Sequence, residues 1–160
     1  MAIFHLKKEG KSKYHATKVH YDGHDFDSTY ERDRYITLRY LERAGKIRCL
    51  RLKTGFRLIP KTTRMVAKQL KTKVKLVERV VELESLYHND FTYYDTEINA
   101  YVTEELKSRM TASLADYILR RKLMVRKIYA HNERRRECGR RWVFREVVYY
   151  NKNKIIITDK

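Results

Sequence analysis

Acidic residues, cysteine and proline are all scarce in this chain. Its 160 residues carry 20 Asp and Glu against 37 Lys and Arg, a formal net charge of +17. The two cysteines, Cys49 and Cys138, lie far apart and outside any CxxC or Cys/His spacing. A zinc site is therefore not expected, and both thiols read as structural in a reduced, cytoplasmic compartment. Pro60, the one proline, closes a strand region, and no repeat, low-complexity tract or linker is visible, so residues 1–160 read as one domain. No apolar run approaches the roughly 20 residues that span a bilayer. The opening Met1-Ala-Ile-Phe-His-Leu-Lys-Lys8 is too short and too quickly charged for a signal peptide. No membrane partner is expected.

Positive charge and tyrosine are abundant. Thirteen tyrosines and a hydrophobic content of 42% exceed what a disordered polycation carries, and the length is enough for a core. A pI near 9.9 calls for an acidic partner, nucleic acid first, although ribosomal and membrane-surface proteins share this composition. Residues 1–20 hold Lys7, Lys8, Lys11, Lys13 and Lys18, with Tyr14 and His15 between them. They form either a solvated arm or an arm along a DNA backbone, with an aromatic ring on sugar or base. Residues 61–75 hold six basic residues and no acid, which suits a solvated connection or part of a DNA surface. From Arg120 to Arg145 eleven basic residues face two acidic ones, and Arg134, Arg135 and Arg136 read as phosphate contacts from a loop.

Tyr21-Asp-Gly-His24 predicts a hairpin turn centred on Asp22-Gly23. Ser28-Thr-Tyr-Glu31 is a capping box for a helix that Gly45 ends at the C′ position. Glu31 shares a helical stripe with Tyr35 and Leu38, so it either serves the helix end or points inward as an acidic site group. Residues 46–59 predict one or two strands bent at Thr54-Gly55, and residues 74–86 another strand. A helix is expected from Thr111, as N-cap, to about Tyr129, with Leu114, Ile118, Val125 and Ile128 buried. Arg121 falls in that stripe and needs a phosphate or carboxylate partner unless it snorkels to the helix edge. Trp142–Tyr150 and Ile155–Thr158 predict a C-terminal hairpin after the basic loop.

The stretch from Tyr87 to Lys107 predicts two strands joined by a turn at Asp95-Thr-Glu97. Asp90 falls at the end of the first, and Glu105 and Lys107 at the end of the second. Alternation gives Glu105 and Lys107 one face and turns Leu106 to the other. Between Glu78 and Glu105 there are eight acidic residues and one basic one, Arg79, which makes an acidic pocket within a polycation. Two carboxylates and an ammonium at one sheet end suit phosphodiester hydrolysis. Asp90 and Glu105, with the Leu106 carbonyl, would bind Mg²⁺ or Mn²⁺, which favour oxygen ligands. Glu31 would orient a metal-bound water or help hold a second metal, and Lys107 would stabilise the oxyanion or position the water.

Asp90…Glu105-Leu-Lys107 resembles the motif of the PD-(D/E)XK nuclease superfamily, with Asn89 where the motif has proline. Lys13-Tyr-His-Ala, Tyr21-Asp-Gly-His-Asp-Phe-Asp-Ser28, Glu31, Arg34-Tyr35 and Leu41-Glu-Arg-Ala-Gly-Lys-Ile47 are similar to a small family of phage and prophage nucleases within it. That family is described mostly as a domain of unknown function and sometimes as an endonuclease or Holliday-junction-resolvase-like protein. The resemblance implies an α/β fold with a restriction-endonuclease-like αβββαβ core, a mixed central sheet flanked by helices. It implies a Mg²⁺-dependent endodeoxyribonuclease, structure-selective on branched DNA, with Asp90, Glu105 and Lys107 catalytic and Glu31 as the helix-borne acid. The expected DNA contacts are Lys13, Tyr14, His15, Lys18, Arg34, Arg121, Lys122, Arg134, Arg135 and Arg136. A phage-encoded enzyme would work in the host cytoplasm, and such enzymes often form homodimers to cut two strands. Two other readings stay open: a non-catalytic nucleic-acid-binding module that keeps the fold, and a structural or interaction protein whose acidic cluster faces solvent.

Overall fold

The computed structural model describes residues 17–136, 139–151 and 154–160. It opens on strands β1 (Val19–Tyr21) and β2 (His24–Phe26), joined where Asp22 and Gly23 take positive φ values of 53° and 74°. That is the turn an Asp-Gly pair favours. Helix α1 (Thr29–Arg43) starts at Ser28, whose Oγ accepts the Glu31 amide at 3.1 Å. The return half of the capping box is not made. The Glu31 carboxylate accepts the Asp27 amide instead, at 2.7 Å, which draws it away from a purely capping role. Gly45 follows the helix at φ 73°, the left-handed C′ residue expected there.

Seven strands come next: β3 (Ile47–Leu52), β4 (Gly55–Ile59), β5 (Thr62–Gln69), β6 (Val74–Glu82), β7 (Ser85–His88), β8 (Phe91–Asp95) and β9 (Ala100–Ser108). The first six are nested. β3 pairs with β8, β4 with β7 and β5 with β6, all antiparallel, so residues 47–95 make one long ribbon with two joints. One joint sets residues 53–54 against 89–90, and the other sets residues 60–61 against 83–84. The segment expected as a connection or DNA surface, residues 61–75, thus begins a hairpin. The strand expected from Tyr87 onward is interrupted at Asn89-Asp90. There the buried Asn89 amide donates to the Phe91 carbonyl and to Thr92 Oγ1, and local bonding of this kind competes with the strand ladder.

After β9 come α2 (Arg109–Ala112), α3 (Ala115–Arg134), β10 (Arg141–Asn151) and β11 (Lys154–Asp159). The helix expected from Thr111 is divided, because Ser108 caps a single turn by accepting the Thr111 amide at 3.2 Å. α3 then starts afresh after Leu114, which has extended backbone and no capping side chain. The buried stripe is accordingly Tyr117, Met124 and Ile128 rather than one that starts at Leu114 and Ile118.

The main sheet runs β11-β10-β9-β8-β3, with β9 and β10 parallel and every other pair antiparallel. The protein is therefore a mixed α/β fold, and its core elements follow the chain order α1, β3, β8, β9, α3, β10. On one sheet face Tyr35 and Leu38 of α1 pack on Ile47, Phe91, Tyr93 and Val102. On the other, Met124 and Ile128 of α3 pack on Tyr87 and Phe144. Strand alternation sends Glu104 to the α1 face and Glu105 to the α3 face. Glu104 is fully buried, and its two oxygens take Arg34 Nε and Nη2 at 2.6 and 2.8 Å and the Tyr93 hydroxyl at 2.6 Å. No helix among the described residues is long and apolar enough to cross a membrane.

Removing one partner of a buried, hydrogen-bonded ion pair leaves the other charge uncompensated, at about 3–5 kcal/mol. Glu104→Ala should therefore destabilise the fold by that amount in chemical denaturation. Ser28→Ala, which removes only the α1 cap, should cost about 1 kcal/mol.

Candidate functional site

Asp90 sits at the joint between ribbon and sheet, and its backbone is tied on both sides. Its amide donates to the Glu104 carbonyl at 3.2 Å, and its carbonyl accepts the Lys53 amide at 3.0 Å. Its Oδ2 accepts the Leu106 amide at 2.7 Å. Burial, then the neighbouring Glu105 charge, push the Asp90 carboxyl up to about 7. Glu31 is raised by burial first and by Asp90 second. Glu105 is raised by burial, against the opposing pull of Lys107. The three carboxylates thus form a chain, Glu31 to Asp90 to Glu105, with Asp90 between α1 and the β9 end.

Two of their oxygens, Glu31 Oε1 and Glu105 Oε2, are buried without a hydrogen-bond partner. Protein cations flank the chain. Lys53 Nζ lies 2.7 Å from Asp27 Oδ2 and 3.4 Å from Glu31 Oε1. Lys107 Nζ donates to Glu105 Oε1 and, at 3.1 Å, to the Leu106 carbonyl, and it lies 5.1 Å from the Tyr117 ring centroid. Glu105, Leu106 and Lys107 open onto a cleft of about 520 Å³ that Tyr30, Tyr117 and Arg120 also line.

The donor set is all oxygen, which suits a hard divalent cation. Asp90, Glu105, Glu31 and the Leu106 carbonyl are the groups that could hold one; Glu105 Oε2 has no hydrogen bond, and Glu31 Oε1 has only the Lys53 ammonium at 3.4 Å. The side chains do not stand in a ligating arrangement: among the described residues no three Asp, Glu, His or Cys groups converge to hold a metal. The ion pairs to Lys53 and Lys107 occupy part of the donor set.

The expected DNA contacts divide. Lys13, Tyr14 and His15 lie outside the described residues. Lys18 is exposed, and its charge adds a little to the lowering of Asp27 that the Lys53 hydrogen bond chiefly causes. Arg34 is committed within the fold, where Glu104 takes it in the pair described above. Arg121 is likewise committed. Its Nη1 lies 2.6 Å from Glu146 Oε1, which also accepts the Tyr117 hydroxyl at 2.7 Å, so its partner is a carboxylate rather than a phosphate. Lys122 is exposed on the flank that Arg126 and Lys160 share. Arg134, Arg135 and Arg136 are exposed at the far end of α3. At 1.5 Å per residue Arg134 stands roughly 21 Å along the helix from Arg120.

Sequence reasoning missed Lys53 and Arg120. Arg120 lies over the Tyr87 ring, 5.4 Å from its centroid, and its charge opposes the rise at Glu105. A stripe phased on Tyr117 would have set it beside the sheet end. Lys53 reaches the acids from a left-handed backbone at φ 50° that no residue type announces.

A family model matches residues 11–151. The chain belongs to that family, described as a protein of unknown function (DUF1064). Neither the curated proteins nor the solved structures contain a match to it. The matched span includes Glu31, Asp90, Glu105 and Lys107, so the carboxylate chain lies within the family domain.

A carboxyl raised in the folded state binds its proton more tightly there than in the unfolded chain, so stability falls as pH climbs through the interval between the two values. For Asp90 that interval runs from 3.8 to about 7, and Glu31 and Glu105 act in the same direction. In EDTA the melting temperature should drop between about pH 4 and about pH 7, and Asp90→Asn should flatten the drop. A melting temperature that rises over this range would contradict the assignment.

Proposed function

We propose that this protein is a metal-dependent endonuclease that hydrolyses phosphodiester bonds in DNA. The observation that carries the reading is the buried Glu105 carboxylate, whose Oε2 lacks a hydrogen bond, standing beside Asp90 and opening with Lys107 onto the cleft. Buried like charges are costly unless something positive meets them, and Lys53 and Lys107 are two cations for the three carboxylates Glu31, Asp90 and Glu105. The element order α1, β3, β8, β9, α3, β10 supports the restriction-endonuclease-like αβββαβ core, and the match of Asp90…Glu105-Leu-Lys107 to the PD-(D/E)XK pattern supports the chemistry.

In this reading Asp90, Glu105 and the Leu106 carbonyl would hold a Mg²⁺ or Mn²⁺ ion, and Glu31 would orient water. When bound, such an ion polarises the phosphate and lowers the pKa of its water. The rest falls to the chain. Lys107, held over Tyr117, places a fixed ammonium where charge develops on the non-bridging oxygens. Arg120 supplies a cation at the cleft for the neighbouring phosphates. Tyr87 keeps its hydroxyl protonated, since burial and the Glu105 charge hold its pKa well above the usual range. Branched DNA is the proposed substrate class on the resemblance alone.

The test is cleavage of a labelled four-way junction and a matched linear duplex in Mg²⁺, Mn²⁺ and EDTA. Metal-dependent cutting is expected, reduced about 100-fold or more by Glu105→Ala and by Lys107→Ala with DNA binding retained. Cutting of the junction alone would mark a resolvase, and equal cutting a general endonuclease. Binding without cutting in either metal would favour the non-catalytic module.

A further inference from the structure

The outer hairpin of the ribbon, β5 and β6, has a pattern that the carboxylate site leaves unused. No side chain of either strand is buried. The register sets Arg64 directly across from Arg79 and Lys68 directly across from Lys75, with Val66 across from Val77 between them. By alternation these six side chains share one face. The opposite face carries Met65 with Glu78, Ala67 with Leu76, Thr63 with Val80 and Gln69 with Val74. Lys71 and Lys73 add charge at the tip, where the Leu70 amide donates to the Lys73 carbonyl at 2.8 Å.

Like charges set directly opposite on a ribbon destabilise it, and an isolated two-stranded hairpin is marginal in water to begin with. A hairpin selected for stability alone would alternate the signs. Here two successive charged rungs are both cationic, and Arg64, Lys68, Lys75 and Arg79 form no ion pair among the described residues. Of the two acids on the hairpin, Glu78 faces the other way and Glu82 stands at the base, across from Thr62. The arrangement becomes favourable when a polyanion lies along that face. The rungs are four residues apart, or about 13 Å at the strand rise, and a two-stranded ribbon fits the roughly 12 Å major groove of duplex DNA.

We propose that β5–β6 is a duplex-binding arm whose cationic face, Arg64, Lys68, Lys75 and Arg79, contacts the phosphates of double-stranded DNA on either side of the groove it enters. The proposal rests on the reading above only in taking DNA as the polyanion. It does not require cleavage. With all four cations on phosphates rather than base edges, binding is insensitive to sequence and strongly dependent on salt.

The experiment is fluorescence anisotropy of a labelled duplex in EDTA across a salt series, with metal-dependent cleavage followed in parallel. The combined variant Arg64→Gln, Lys68→Gln, Lys75→Gln and Arg79→Gln removes only exposed charges that repel one another, so it should keep the hairpin, as circular dichroism will check. It should bind duplex at least about 10-fold more weakly near 0.1 M salt. Its slope of log affinity against log salt should be shallower by about 3 to 4, close to 0.9 for each phosphate no longer neutralised. Arg64→Lys with Arg79→Lys should keep both the affinity and the slope, because the phosphates need charge rather than a guanidinium. An unchanged slope in the four-residue variant would overturn the arm, and would leave the nuclease standing if cutting persists. Ribbon-dependent binding without cutting in any metal would keep the arm and remove the nuclease. A variant Met65→Ser with Leu76→Ser that splits a dimer in sedimentation, with the DNA slope of the four-residue variant unchanged, would make the hairpin a contact between copies of this chain and overturn the proposal.

Discussion

The hydrogen bond from the Leu106 amide to Asp90 Oδ2 joins the two halves of the structure. Leu106 lies on β9, at the end of the main sheet, and Asp90 lies at the first joint of the ribbon. This one contact fixes the acid of the joint against the strand that bears Glu105 and Lys107. It also offsets part of the cost of holding Asp90 beside Glu105, since an amide donor favours the charged carboxylate. The opposite side of the joint supplies the rest. Lys53 takes a left-handed backbone at φ 50°, which for a residue other than glycine costs about 1–2 kcal/mol. Its amide is thereby bonded to the Asp90 carbonyl, and its ammonium reaches Asp27 and Glu31. Strain at one residue thus keeps three acids close together.

Most of the buried charge elsewhere is paired. Glu104 takes Arg34 and Tyr93, Glu146 takes Arg121, Tyr117 and Lys160, and Arg145 spans Asp95 and Asp159. These groups tie α1 to one sheet face and α3 to the other, and hold β8, β10 and β11 together within the sheet. The consecutive residues Glu104 and Glu105 show how sharply strand alternation divides the roles. Glu104 has all its oxygens met and its pair closed. Glu105, one residue on and on the other face, keeps an oxygen unmet and opens onto the cleft.

Local chemistry makes much of this legible in the chain itself. The Asp22-Gly23 turn, the Ser28 cap, Gly45 at C′ and the final hairpin each depend on residues within a few positions of one another. The alternation that separates Glu105 and Lys107 from Leu106 needs only a correct strand. What the sequence does not convey is which carboxylate neutralises which guanidinium. Arg34 and Arg121 look free in a chain of net charge +17, yet each is spent on an acid 70 and 25 residues away. The phase of α3 is obscured for a similar reason. Ser108 and Thr111 both suit a cap, and only the packing of Tyr117 and Met124 shows that the long helix begins after Leu114. The ribbon is hidden because its faces emerge only once residues 61–82 are folded in register. Read linearly, Arg64, Lys68, Lys75 and Arg79 are scattered cations.

The inner part of the ribbon bears on the cleft. The inner stalk, β4 with β7, is not free like the outer hairpin. Phe56 and Leu58 of β4 and Tyr87 of β7 pack with α3 and Trp142. Tyr87 is fully buried there, lies under Arg120, and is near enough to Glu105 for that charge to raise its pKa. The stalk therefore has two rigid connections to the carboxylates, Tyr87 beside Glu105 and the joint at Asp90. Stalk packing on α3 and the hydrogen bonds of the joint thus bear on the same two acids, Asp90 and Glu105.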